Sequence, residues 1–150
     1  MSHLVQIVQS PAVPLAVVRR RASPRELSKV VPAACGEVWT FIRAHGVEGA
    51  GRHVAIYLDC AINLEVGVEV PAAFASDGDV VPSATPAGPV ATTAHIGPYD
   101  RLGDAHGAIR AWCKAHDHAL AGPNWEIYAH WTDDPAQQRT DVFYLLEQGR

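Results

Sequence analysis

Glu126 is the residue whose chemistry stands out. It lies in the middle of Trp125-Glu126-Ile127-Tyr128, a run of strand-forming aromatic and β-branched residues. A carboxylate among aromatic rings is costly to bury unless something compensates it. Two readings stay open: a negative charge at the bottom of an aromatic cleft, or a carboxylate that faces solvent or pairs with an internal arginine. Tyr57, Tyr99, Tyr128 and Phe143 are the candidate aromatic surfaces of such a cleft, and Tyr57 and Tyr128 also read as core tyrosines with satisfied hydroxyls. A carboxylate with aromatic rings suits an organic cation or a flat apolar ligand. The same groups suit acid–base work. Glu126 would activate or orient a water, and Tyr99 or Tyr57 would give a proton to a developing oxyanion.

The elements that must position these residues occur twice. Sliding the sequence by 71 positions superposes Ala34 on Ala105, Gly36 on Gly107, Ala44-His45 on Ala115-His116, Ala50-Gly51 on Ala121-Gly122 and Ile56-Tyr57 on Ile127-Tyr128. That is eight identities in the 24 positions from 34 to 57, without a gap, and it marks a duplication. In the first half, Leu15–Arg21 reads as a strand. A helix follows, with Pro32 in its first turn, an apolar stripe of Val38, Phe41 and Ile42, and His45-Gly46 at its end. Val54, Ile56 and Leu58 then alternate with Ala55, Tyr57 and Asp59, and Leu64–Val70 alternates again.

The second half repeats the plan. Pro89–Ile96 is a strand, and Gly97-Pro98 opens a helix with the stripe Leu102, Ala105, Ile109, Trp112, Cys113 and His116. Trp125–Trp131 and Asp141–Glu147 are strands, the last aligning at a shift of 76. Residues 71–86 read as a connecting loop between repeat 1 (about 14–70) and repeat 2 (about 87–147). The expected product is one α+β domain over residues 1–150. It has pseudo-two-fold symmetry, an antiparallel sheet with helices on one face, and a ligand cleft where the halves meet.

Alternation assigns faces. Val54, Ile56 and Leu58 are wholly apolar, which places them under the helices together with Trp125, Ile127 and Ala129. Ala55, Tyr57, Asp59, Glu126, Tyr128 and His130 then share the opposite, open face, and Gly67 and Phe143 point to the same side. Ala55 and Gly67 would leave room for the apolar body of a ligand, with its polar or cationic end toward Glu126.

Composition narrows the function classes. Of 150 residues, 48% are apolar and 19% charged, which fits a folded core and not a disordered tail. The net charge of −4 argues against nucleic-acid binding, and Arg19-Arg20-Arg21 reads as a solvated strand edge. No apolar run is long enough for a membrane span, and no signal peptide is visible, so a cytoplasmic location is expected. Cys35, Cys60 and Cys113 lack paired spacing and read as reduced thiols. No metal motif organises the eight histidines. His45 and His116 read as structural, and His95, ahead of the Gly97-Pro98 turn, lies within reach of a ligand. No GxGxxG or GxxxxGK[ST] occurs, so no cofactor is expected.

His95-Ile96-Gly97-Pro98-Tyr99-Asp100-x-Leu102 and Gly122-Pro123-x-Trp125-Glu126-Ile127-Tyr128 together resemble the two signatures of the gyrase-inhibitor-like small-molecule-binding domain. The same domain resembles the effector half of multidrug-responsive transcription activators. The likeness runs from about His3 to Glu147. It implies a duplicated strand–helix–hairpin fold with a ligand cleft between the halves. It implies that Glu126, at the family's glutamate position, recognises cationic lipophilic compounds, and Tyr99 matches the tyrosine at the helix start. A helix-turn-helix is not expected here, so the resemblance implies a standalone drug-sensing or drug-sequestering protein. The alternative it carries is a hydrolase that opens strained cyclopropane rings of alkylating natural products, with Glu126 and Tyr99 catalytic. A topoisomerase-inhibiting interaction protein is a third reading, which no acidic cluster supports.

Overall fold

The computed structural model describes residues 3–58, 63–72, 74, 76, 78–129 and 133–147. The face assignments made above for Asp59 and His130 lie outside these residues. The described elements in chain order are β1 (Gln6–Ser10), β2 (Pro14–Arg21), α1 (Leu27–Ala44), β3 (His53–Tyr57), β4 (Asn63–Glu69), β5 (Val81–Ala84), β6 (Gly88–Ile96), α2 (Leu102–Ala115), β7 (Leu120–Tyr128) and β8 (Arg139–Leu146). The strands form one antiparallel sheet in the order β1-β6-β8-β7-β3-β4-β2-β5. Strand–helix–hairpin units thus lie on either side of the central β3–β7 pair, where Ala55 is the partner of Glu126.

Two strands go beyond the sequence expectation. β5 lies within residues 71–86, where the sequence predicts a connecting loop, and β1 precedes the first repeat. Each crosses to the other repeat: β1 pairs with β6, and β5 pairs with β2. Only residues 11–13 join β1 to β2, and only residues 85–87 join β5 to β6, though each connection links opposite ends of the sheet. Such connectors span at most about 14 Å, so the sheet must curl until its ends approach. The Val13 N–H donates to Thr85 Oγ1 at 2.9 Å and the Thr85 N–H to the Val13 carbonyl at 3.0 Å, joining those ends.

Curling buries both faces of the central strands. The concave interior holds Leu15, Val17, Val54, Ile56, Val90, Trp125 and Ile127, with Phe143 stacked on Trp125. The convex side carries the helices. α1 packs Ala34, Val38, Phe41 and Ile42 against Ala16, Val18, Ala55, Leu64, Val66 and Val68, while α2 packs Ala105, Ile109 and Cys113 against Ala91, Val142 and Tyr144. The face assignment from alternation is therefore inverted. Val54, Ile56, Trp125 and Ile127 fill the interior away from the helices, and Ala55, Tyr57, Glu126 and Tyr128 lie on the helix side. The driest set of residues marks the interior of a curled sheet, and the helices cover the more polar face.

Gly67 and Phe143 face the interior, as partners of Val54 and Trp125. A Cβ on Gly67 would lie 1.7 Å from the Ala16 carbonyl oxygen, so the glycine serves close strand approach. Pro32 lies inside α1 and not in its first turn, because the helix starts at Leu27. The helix ends match the duplication closely. The His45 and His116 N–H groups donate to the Phe41 and Trp112 carbonyls, both at 3.0 Å, and each imidazole stacks on that aromatic ring at 4.1 Å. In the basic run, Arg19 pairs with the buried Glu65 and Arg20 with Glu37, and β2 lies between β4 and β5 instead of at the sheet edge. Among the described residues, no helix is long and apolar enough to cross a membrane.

Candidate functional site

A cavity of about 760 Å³ lies between α1 and the start of α2, over the β3–β7 centre of the sheet. This volume is in the range of pockets for drug-sized molecules. The amphipathic α1 supplies one wall through Leu27, Val31, Cys35 and Trp39. Tyr99 and Leu102 stand opposite, where Gly97 (φ +142°) and Pro98 turn the chain into α2. The strands supply Tyr57, Glu126 and Tyr128. Arg52 and His53 close one end. The Arg52 guanidinium is engaged by Glu69 at 3.0 Å and Asp141 at 3.7 Å, and His53 Nε2 accepts the Trp39 indole N–H.

Glu126 is 5% exposed, yet it borders the cavity. Its Oε1 accepts hydrogen bonds from the Tyr57 hydroxyl at 3.1 Å and from the Tyr128 hydroxyl. Its Oε2 lies 2.6 Å from His106 Nε2. Behind His106, Nδ1 is 2.7 Å from the Tyr144 hydroxyl, which accepts an Arg110 N–H at 2.9 Å. Among the described residues no lysine or arginine pairs with Glu126 directly, so hydrogen bonds compensate its burial.

The tyrosines hold their protons. Burial, and after it the neighbouring Glu126 carboxylate, pushes the Tyr57 and Tyr128 phenols well above their ordinary range. Burial also raises Tyr99, which is 47% exposed and meets Tyr128 edge-on at 5.9 Å, forming the rim. The Cys35 thiol is pushed up to about 11 by burial alone.

Of the residues singled out in the sequence, Tyr57, Tyr99, Glu126 and Tyr128 come together at one cavity, on the side of the sheet opposite to that expected. Ala55 shares their face but is sealed under α1. Phe143 and Gly67 lie on the other face and do not border the cavity. His95 does not border it either; its ring packs on His3 and bonds the Pro98 carbonyl. Sequence reasoning missed Trp39, Cys35, His106, Arg110 and Tyr144. Their signal lies in the repeat. Cys35 corresponds to His106 and Trp39 to Arg110 at a shift of 71, and Val68 to Tyr144 at 76, so the two halves differ around Glu126. Among the described residues no group of three or more metal-ligating side chains exists.

A family model described as GyrI-like small molecule binding domain matches residues 3–146. No curated protein matches the chain significantly. Among solved structures, the EcmrR C-terminal domain superposes with a TM-score of 0.81 at 19% identity, covering 99% of this chain and all of that one. A structure described as a hydrolase from Listeria innocua gives 0.65 at 10% identity over 97% of this chain and 93% of that one. SAV2435, bound to tetraphenylphosphonium, gives 0.65 at 9% identity over 98% and 94%. At these identities the likeness is one of fold.

Proposed function

We propose, for a chain that belongs to the GyrI-like small-molecule-binding domain family, that the cavity captures multi-ring organic cations. The observation that carries this reading is the state of Glu126. Its carboxylate is buried at the cavity wall, satisfied by two tyrosine hydroxyls and a histidine, and paired with no lysine or arginine among the described residues. A carboxylate in a low-dielectric setting attracts a cation far more than it would in water. Trp39, Tyr57, Tyr99 and Tyr128 supply ring faces and edges for an aromatic guest, and Leu27 and Val31 supply apolar surface. The cation that SAV2435 holds, in the same fold, supports the choice of probe. In this reading the chain senses or sequesters drug-like compounds.

The hydrolytic alternative asks Glu126 to hold a water and a tyrosine to release a proton. Three donors already surround the carboxylate, and burial raises the phenols of Tyr57 and Tyr128 and, at the rim, that of Tyr99. Binding is therefore the better-supported reading.

The test is titration of the protein with tetraphenylphosphonium, followed by tryptophan fluorescence and calorimetry. Saturable one-to-one binding is expected, weakened about tenfold or more in Glu126→Gln, which is about 1.4 kcal/mol. Equal binding by the variant would remove charge recognition, and absence of binding by the native protein would remove the cation reading.

A further inference from the structure

Glu126 does not stand alone. Behind it runs a line of side chains that ends in a fixed positive charge. The Arg110 guanidinium can only donate, so at 2.9 Å it occupies a lone pair of the Tyr144 hydroxyl oxygen. The tyrosine proton is then left to point at His106 Nδ1, 2.7 Å away. A nitrogen that accepts that proton carries none of its own, so the single imidazole proton sits on Nε2, 2.6 Å from Glu126 Oε2. Both remaining donors, Tyr57 and Tyr128, converge on Oε1. Every proton in the chain has an acceptor in this direction. Running it the other way would leave the Tyr144 hydrogen unspent on a residue only 6% exposed.

We propose that Arg110, Tyr144 and His106 form a directed relay that gives Glu126 a neutral hydrogen-bond donor in place of a counter-ion, and that this relay makes the cleft prefer organic cations to uncharged compounds of the same shape. The inference rests on the cation-binding reading above and adds the residues that keep the charge available. A doubly protonated His106 would form an ion pair with Glu126 at 2.6 Å and cancel the field that a cationic guest meets. Arg110 is bound to Tyr144, so the fixed positive charge at the end of the line lies behind the imidazole and not at Glu126. The duplication supports a built device. The positions equivalent to Glu126, His106, Arg110 and Tyr144 in the first half are Ala55, Cys35, Trp39 and Val68, none of them charged. The polar chain exists in one half only, and the other half presents apolar wall.

The relay positions Glu126's charge, so its test needs a readout that loss of packing would not move. That readout is the ratio of affinities for 10-methylacridinium and 9-methylanthracene, two three-ring compounds of one shape that differ by a charge. The native protein is expected to prefer the cation by about tenfold or more. Tyr144→Phe keeps the ring in its packing site and removes the proton aimed at Nδ1. It should lower the ratio at least threefold through the cation alone. His106→Lys, with a permanent charge beside Glu126, should bring the ratio near one. In parallel, long-range nitrogen–proton NMR of the imidazoles should show His106 with its proton on Nε2 in the native protein and a changed protonation pattern in Tyr144→Phe. If Tyr144→Phe folds and binds both probes with the native ratio, or if the native His106 carries its proton on Nδ1, the relay proposal is overturned while the cation reading stands. If the native protein binds both probes equally, the cation reading falls and the relay with it.

Discussion

Ala55 and Glu126 are partners across the two central strands, and they are also equivalents in the repeat, 126 − 55 = 71 positions apart. The pseudo-two-fold axis therefore passes between them. The cavity's charge lies just to one side of that axis, and the matching position on the other side is a methyl group sealed beneath α1.

The axis pairing predicts the outcome of making the site symmetric. Ala55→Glu would put a second carboxylate on the neighbouring strand, with Cβ atoms about 5 Å apart on one face. It would find Val38 and Phe41 in its cluster, and the hydroxyls of Tyr57 and Tyr128, which pack on that cluster, already donate to Glu126. A buried, unpaired charge next to a like charge should cost about 3 kcal/mol or more. Chemical denaturation measures this directly, and a variant as stable as the native protein would show that Ala55 is not sealed as described.

Much of the architecture was legible in the sequence because the duplication doubles each signal. Two weak helices with matching ends, His45 and His116, are stronger than either alone. The faces were not legible, for a physical reason. Alternation tells which residues share a face, and it did group Glu126 with Tyr57 and Tyr128. It does not tell which of two buried faces meets the helices, and the curl buries both. Alternation alone puts Trp125 and Phe143 on opposite faces although they are direct partners, because register between β7 and β8 is a tertiary property that one strand's pattern does not contain. The relay was hidden because His106, Arg110 and Tyr144 come from two distant segments. Comparing the halves position by position would have exposed it, since each relay member replaces an uncharged residue of the first half.

The helix ends carry a second prediction. Gly46, after α1, has φ +61°, the left-handed conformation of a helix terminus, and its repeat equivalent after α2 is Asp117 at φ +59°. In both, the next bond closes the same motif: the Val47 N–H on the Ile42 carbonyl at 3.1 Å, and the His118 N–H on the Cys113 carbonyl at 2.9 Å. Asp117 is strained there, and its charge opposes the helix dipole. Asp117→Gly should therefore stabilise the protein by about 0.5–1 kcal/mol, raising Tm by about 1–4 °C. A lower Tm would show that the aspartate makes a compensating contact.

Cys35 reports on the cavity wall. It lines the site from α1, and burial pushes its thiol from near 9 up to about 11. A raised value means that the folded state favours the neutral thiol. The stability this contributes is present below about pH 9 and is lost as pH rises through about 11. Reactivity follows the thiolate, so at pH 8 the folded protein should be alkylated at Cys35 about 100-fold more slowly than the unfolded chain. The rate should climb about tenfold per pH unit toward pH 10, while the protein remains folded. Peptide mass spectrometry after timed iodoacetamide treatment gives the rate at this cysteine alone. A saturating cavity-bound tetraphenylphosphonium should slow it further, because the guest covers the Cys35 side of the wall. Equal rates in the folded and unfolded chains would place Cys35 in open solvent and remove α1 as a wall of the site.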